Sequence, residues 1–185
     1  MPVFGDFGIM QAKDVIAMTI KTERLVLKPL SADDAEPALD LLTSKIIAKT
    51  YMLPDFACRE DALPLFNRLL GFSQGNDRYI RGVFLDGYLI GYLNEVEVVD
   101  GTIEVGYLIH PDYHGHGYMP EALKAAIQDL FRIGYKEVIA GAFEGNLASE
   151  RVMIKAGMQK IDRSDSVDYR GVTYPCFYYS TKKQV

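Results

Sequence analysis

All three histidines of the chain, His110, His114 and His116, fall within one seven-residue stretch, with Gly115 and Gly117 interleaved. Two chemistries fit such a stretch. Imidazoles at i, i+4 and i+6 offer metal ligands, but a glycine-rich loop is a poor rigid frame for three of them and no cysteine lies nearby. Backbone chemistry fits better. Glycine tolerates the dihedrals that turn N–H groups inward, and a helix start adds unpaired N–H donors and the positive end of a dipole. Together they cradle an anion, phosphate above all. Each hydrogen bond to a charged oxygen is worth about 1.5–3 kcal/mol, so three or four hold a pyrophosphate without a cationic side chain. The stretch is neither a Walker loop, which needs Gly-Lys-Ser/Thr, nor a GxGxxG fingerprint. A plain tight turn is the competing reading. His114 and His116 would rim the cradle, and His110 would end the strand before it.

A cradle needs a strand to enter it and a helix to leave it. Thr102–Ile109 reads as the strand, and Leu123, Ala126, Ile127, Leu130 and Phe131 recur at helical spacing before Gly134. Asp86-Gly87 and Asp100-Gly101 punctuate Tyr79–Leu85, Tyr88–Val98 and Thr102–Ile109, which predicts an antiparallel meander with tight hairpins. Upstream, residues 24–30 alternate as a half-buried strand. Ser31 offers a helix N-cap, with Ala38, Leu39, Leu41 and Leu42 as the apolar face. A second helix is expected from Arg59 to Leu70, started late or kinked by Pro64 and stopped by Gly71. Downstream, Val138–Phe143 is a continuous apolar run suited to a central strand. Asn146 caps a helix that Gly157 stops, and Met158–Thr181 forms a hairpin turning at Tyr169-Arg170-Gly171. The expected fold class is α+β: a mixed, mostly antiparallel twisted sheet of about six to seven strands flanked by helices.

At 185 residues, 49% hydrophobic and 24% charged, the chain has the composition of one soluble domain. About two-thirds of its unfolded surface can be buried without a disulfide or metal. A net charge of −5 and a pI near 5.2 argue against nucleic acid as a partner. Backbone N–H groups can nevertheless hold an anion at any net charge. No apolar run approaches the roughly 20 residues of a membrane helix. Residues 1–18 lack a basic start followed by an apolar run and read as a loosely ordered extension or a start codon placed too early. Residues 19–185 read as the single domain. The expected compartment is the cytoplasm, where Cys58 and Cys176 stay reduced.

His114-Gly115-His116-Gly117-Tyr118-Met119, followed by Pro120-Glu121-Ala122-Leu123, resembles motif A of the GNAT N-acetyltransferase superfamily, Q/R-x-x-G-x-G/A, which binds the pyrophosphate of acetyl-CoA. Thr22-Glu23-Arg24-Leu25-Val26-Leu27 resembles the opening strand of the RimJ/RimL-like branch, the ribosomal-protein N-terminal acetyltransferases. Glu104-Val105-Gly106-Tyr107 is similar to its fourth strand. Asn146-x-x-Ser149-x-Arg151-Val152, then Lys155-x-Gly157, is similar to its motif B. Three positions depart from the pattern. His114 stands where Gln or Arg is usual, Met119 where Gly or Ala is usual, and Pro120 where Thr or Ser is common. Met119 narrows the room beside a phosphate. Pro120 removes one N–H but suits a first helical turn.

The resemblance implies an acetyl-CoA-dependent N-acetyltransferase in which a primary amine attacks the thioester directly in a ternary complex. It implies cofactor contacts from Leu108, Ile109, His114, Gly115, His116, Gly117, Tyr118, Met119, Asn146 and Ser149. The strand around Leu108–Ile109 would bond the pantetheine arm, and one of its N–H groups would polarise the thioester carbonyl. Glu104 is the first candidate base. Alternation places it with Gly106, Leu108 and His110, opposite Ile103, Val105, Tyr107 and Ile109; a solvated structural glutamate is the alternative, and Glu95 and Glu97 are rivals. Many superfamily members protonate the leaving thiolate with a tyrosine seven residues after the motif B asparagine. That position is Met153 here, which leaves Ser149 as candidate donor or as a first-turn residue beside the Asn146 cap.

The base has less to do for some acceptors than for others. An α-amine of pKa near 8 is about one-tenth neutral at pH 7, whereas a lysine-like amine near 10.4 carries a penalty of about 4.6 kcal/mol. A weakly placed base acting through water therefore serves a peptide N-terminus better. The rival acceptor is a small amine such as a polyamine or aminoglycoside, and a catalytically weak acyl-CoA-binding regulatory module is the rival function. Specificity is expected from residues 31–71 and from the final hairpin, including Tyr174, Tyr178 and Tyr179. The expected state is monomer or homodimer, with no metal, nucleic acid or membrane partner.

Overall fold

The computed structural model describes residues 19–75 and 78–184; the extension expected over residues 1–18 lies outside them. The strands are β1 (Ile20–Lys21), β2 (Leu25–Lys28), β3 (Ile80–Leu85), β4 (Tyr88–Val99), β5 (Thr102–Ile109), β6 (Glu137–Phe143), β7 (Gln159–Tyr169) and β8 (Val172–Lys182). The α-helices are α1 (Ala35–Leu42), α2 (Leu63–Gln74), α3 (Tyr118–Arg132) and α4 (Leu147–Lys155). The strands form one eight-stranded sheet in the order β1-β2-β3-β4-β5-β6-β8-β7. Every neighbouring pair is antiparallel except β5 and β6. The fold is α+β as expected. The sheet exceeds the expected strand number because the two-residue β1, too short to show a period, pairs with β2.

Local chemistry sets the hairpins. Asp86-Gly87, Asp100-Gly101 and Arg170-Gly171 each take two successive positive φ angles, the turn whose twist matches that of the flanking strands. Helix α2 departs from expectation at its end. Pro64 sits in the first turn, consistent with a late start, but Gly71 does not stop the helix, which runs to Gln74. Tertiary bonds carry it past the glycine: the Ser73 hydroxyl accepts the Leu30 N–H at 2.6 Å, and Gln74 Nε2 donates to the Leu30 carbonyl at 3.1 Å.

The sheet is covered on both faces. One core joins Leu25, Leu27, Ile103 and Val105 to Ala122, Leu123, Ala126, Ile127 and Leu130 of α3. The other joins Phe84, Leu89, Tyr92 and Leu108 to α1 and to Phe66 of α2. Alternation along β5 thus sends Ile103 and Val105 to one layer and Leu108 to the other.

The parallel pair makes the cleft. β5 and β6 are in register only at Thr102–Glu137, Ile103–Val138 and Glu104–Ile139. Beyond that point β5 continues against β4, and β6 continues against β8 as far as Phe143–Cys176. The two strands therefore part, and the gap between them opens a cavity of about 990 Å³. Leu108 directs its carbonyl toward β4, against Gly91. By alternation, Tyr107 and Ile109 turn their backbone polar groups into the gap.

Candidate active site

One mouth of the cleft is the glycine loop. A 3-10 turn at Pro111–Tyr113 leaves β5, and α3 begins at Tyr118. Gly115 and Gly117 have φ of +81° and +78°, and Gly117 is the residue that opens the helix. The first N–H groups of α3 have no carbonyl within the helix to bond. Met119, a departure from motif A, is only 4% exposed and packs in the core with Ala122 and Leu123, so its bulk is housed away from solvent. Pro120 sits in the first turn of α3.

The histidines separate. His114 lines the cavity and its Nε2 lies 3.1 Å from the Ile109 carbonyl. His116 stacks on Tyr118 at 5.6 Å and stands outside the cavity lining. His110 Nδ1 accepts the Asp112 N–H.

A clamp from the opening strand holds this loop. Glu121 Oε1 accepts the Thr22 hydroxyl at 2.5 Å and the Arg24 N–H at 2.9 Å, while Oε2 accepts the Arg24 guanidinium at 2.7 and 2.8 Å. The same guanidinium donates to the His116 carbonyl at 2.9 Å and lies over the Tyr118 ring. Burial raises the Glu121 pKa, but the hydrogen bonds from Thr22 and Arg24 outweigh it and hold the carboxyl below the ordinary value.

The middle of the cleft is set by β5 and the start of α4. Asn146 Oδ1 accepts the Ser149 N–H at 3.1 Å and so caps α4. The Tyr107 hydroxyl donates to the Ser149 carbonyl at 3.1 Å and stands 2.7 Å from Ser149 Oγ. Burial pushes the Tyr107 hydroxyl pKa up, and the Ser149 hydrogen bond only partly offsets this. Tyr107 is therefore a protonated hydroxyl at neutral pH.

On the opposite face of β5, Glu104 bonds Arg163 at 2.9 Å, and Arg163 also bonds Asp165 at 3.1 Å. The Arg163 guanidinium lies 3.9 Å from the centre of the Tyr178 ring. Tyr178 reaches across Gly141, where a Cβ would come within 2.5 Å of the ring. Burial, then the Glu104 charge, push the Tyr178 hydroxyl up to about 12. Of the rival carboxylates, Glu95 lines the cleft and accepts the Tyr79 N–H, while Glu97 is exposed.

The far mouth is formed by residues 46–52. Tyr51 donates to Asn94 Oδ1 at 2.6 Å beside Gly106. The β7–β8 hairpin clasps this segment. The Tyr169 hydroxyl lies 2.9 Å from the Ala48 carbonyl and 3.0 Å from the Leu53 carbonyl, and Arg170 pairs with Asp55. Of the hairpin tyrosines singled out from sequence, Tyr178 lines the cleft, Tyr174 stacks on Phe143, and Tyr179 bonds Glu150.

The structure brings Glu104, Leu108, Ile109, His114, Gly115, Gly117, Tyr118, Met119, Asn146 and Ser149 to one cavity. Sequence reasoning missed Tyr107, Arg24, Glu121 and Arg163 as parts of the site. Tyr107 carried a signal, since alternation already placed it opposite Glu104, but nothing local showed that Ser149 lay on that side.

Comparison with known proteins converges on one family. A family model described as an acetyltransferase (GNAT) domain matches residues 24–159. The uncharacterized N-acetyltransferase YnaD of Bacillus subtilis (strain 168) is 26% identical over 147 residues, 77% of this chain and 84% of that protein. A solved acetyltransferase (GNAT family) from Bacillus anthracis superposes with a TM-score of 0.77 at 24% identity, covering 89% of this chain and 98% of that one. RimL, the ribosomal L7/L12 alpha-N-protein acetyltransferase, solved in complex with coenzyme A, superposes with a TM-score of 0.76 at 16% identity over 89% of this chain and 98% of its own.

Proposed function

The chain belongs to the GNAT acetyltransferase family and is an acetyl-CoA-dependent N-acetyltransferase; from that premise we propose that it acetylates a primary amine of the peptide N-terminal α-amine type, in the manner of the RimJ/RimL-like branch. The observation that carries the reading is the parted β5–β6 pair, with the Tyr107–Ser149 pair on one face of β5 and Glu104 on the other. The residues present fit acetyl-CoA: a glycine loop leading into a helix start for the pyrophosphate, and an edge of β5 that β6 leaves beyond Glu104 for an amide-bearing arm. Bound there, acetyl-CoA supplies the activated acetyl group.

Each residue then has a task. The N–H groups of residues 115–119 hold phosphate oxygens, and Pro120, which follows, has none to add. The Asn146 amide nitrogen and the Ile109 backbone align the pantetheine arm, and a backbone N–H in the gap polarises the thioester carbonyl. Glu104 draws a proton from the attacking amine through water. As the C–N bond forms and the C–S bond breaks, Ser149 Oγ passes its proton to sulfur. Tyr107, hydrogen-bonded to the same oxygen, steadies it; Glu104 then releases its proton to solvent, and solvent reprotonates Ser149 Oγ. Ser149 thus stands in for the tyrosine that Met153 replaces.

Calorimetry with acetyl-CoA, followed by thiol release across a panel of peptides and amines, tests the reading. Saturable binding with acceptor-dependent release is the expected result. Binding with no release on a broad panel would overturn it in favour of a regulatory module.

A further inference from the structure

The far mouth of the cleft and the β4 bulge beside it carry three large apolar side chains in the open: Ile46 at 57% exposure, Met52 at 52% and Val96 at 51%. Val96 is there because of a backbone irregularity. The β4–β5 register shifts between Glu95 and Glu97, and such a bulge re-aims the extra residue. Val96 and the Tyr51 hydroxyl each stand 3.4 Å from the Cβ position at Gly106. The apolar rim is therefore continuous with the cleft floor beside Glu104. Grouped apolar surface at the edge of a site marks a place that a ligand covers.

Charge narrows the ligand further. The carboxylates lining the cleft, among the described residues, are Glu95 and Glu104. Glu104 is engaged by Arg163 at 2.9 Å, and Glu95 accepts the Tyr79 N–H at 3.2 Å. Lys49, Arg151 and Lys155 line the same cavity. A polycation entering it meets three cationic side chains and two carboxylates already in use. A single amine on an uncharged body brings at most one charge to those cations and calls on only one carboxylate, Glu104.

We propose that the acceptor is a monoamine carried on an apolar, uncharged body. Its nitrogen is delivered toward Glu104 and Gly106, and its carbon skeleton lies on Ile46, Met52 and Val96. A peptide with an apolar first residue and a free arylalkylamine share this chemistry. The inference rests on the reading of the cleft as a transferase site.

Thiol release by the full chain is compared for a peptide beginning with Leu, the same peptide beginning with Ser, 2-phenylethylamine and spermidine. Leu peptide or 2-phenylethylamine is expected to exceed both Ser peptide and spermidine by about ten-fold in kcat/KM. Which of the two leads identifies the source. The surface double variant Met52→Ser/Val96→Ser raises KM for the apolar acceptor about ten-fold and leaves KM for acetyl-CoA unchanged. Spermidine used as well as the apolar acceptors overturns the inference alone, as do equal rates for the Leu and Ser peptides when 2-phenylethylamine is no faster than either. No release with any acceptor, from protein that binds acetyl-CoA, overturns the transferase reading and this inference with it.

Discussion

The Tyr107 hydroxyl holds Ser149 at two points, 3.1 Å from its carbonyl and 2.7 Å from its Oγ, across 42 residues of chain. The contact ties the splayed end of β5 to the first turn of α4. Ser149 is thereby fixed from both sides, by Asn146 below and Tyr107 across the cleft. A side chain with a locked rotamer keeps its donor aimed at one spot.

Tyr107→Phe removes the hydroxyl and leaves the ring. The two lost hydrogen bonds, about 0.5–1.5 kcal/mol each, lower kcat about ten-fold, with little change in KM for acetyl-CoA. Ser149→Ala lowers kcat further. Because the two act through one oxygen, the double variant is no slower than Ser149→Ala. Steady-state thiol release on the three variants measures this, and additive losses would separate the residues.

Glu104→Gln preserves shape but cannot accept a proton. The expected loss in kcat/KM for the acceptor is about 100-fold near neutral pH. The loss shrinks as pH rises toward the pKa of the amine, because more of the acceptor arrives neutral. A pH–rate profile of both proteins records the narrowing, and a constant ratio would assign Glu104 to structure.

Gly117→Ala places a Cβ at φ +78°, which costs about 1–2 kcal/mol for an L-residue. The loop relieves that strain by leaving its cradle geometry. The dissociation constant for acetyl-CoA is expected to rise about five- to ten-fold by calorimetry.

Glu121 has a folded pKa below its unfolded value. Its contribution is therefore present above the unfolded pKa and is lost as pH falls through the depressed folded one. The urea midpoint should drop on acidification below the ordinary carboxylate range, and Glu121→Gln should flatten that part of the curve. At neutral pH Arg24→Ala weakens acetyl-CoA binding a few-fold, since Arg24 also holds the His116 carbonyl.

Much of this molecule is written locally. The Asp-Gly hairpins, the glycine loop and the Asn146 cap are decided by residues within a turn of one another, so their chemistry is visible in the sequence. The resemblance of residues 114–119 and 146–157 to acetyltransferase motifs carries the cofactor for the same reason. The end of α2 was not legible, because Leu30, more than forty residues away, supplies the bonds that extend it past Gly71. β1 was not legible either, since two residues acquire strand form only by pairing with β2.

Sequence alone determined the α+β class, the glycine loop that opens α3, the cap at Asn146 and the face of β5 that each side chain takes. Tertiary structure alone decided that Tyr107 meets Ser149, that Arg24 clamps Glu121, that Arg163 engages Glu104, and that Val96 joins Ile46 and Met52 at one mouth. Alternation along a strand assigns a residue to a face. Which distant element lies against that face depends on sheet order and on where two parallel strands part, and neither is encoded within the span of one motif.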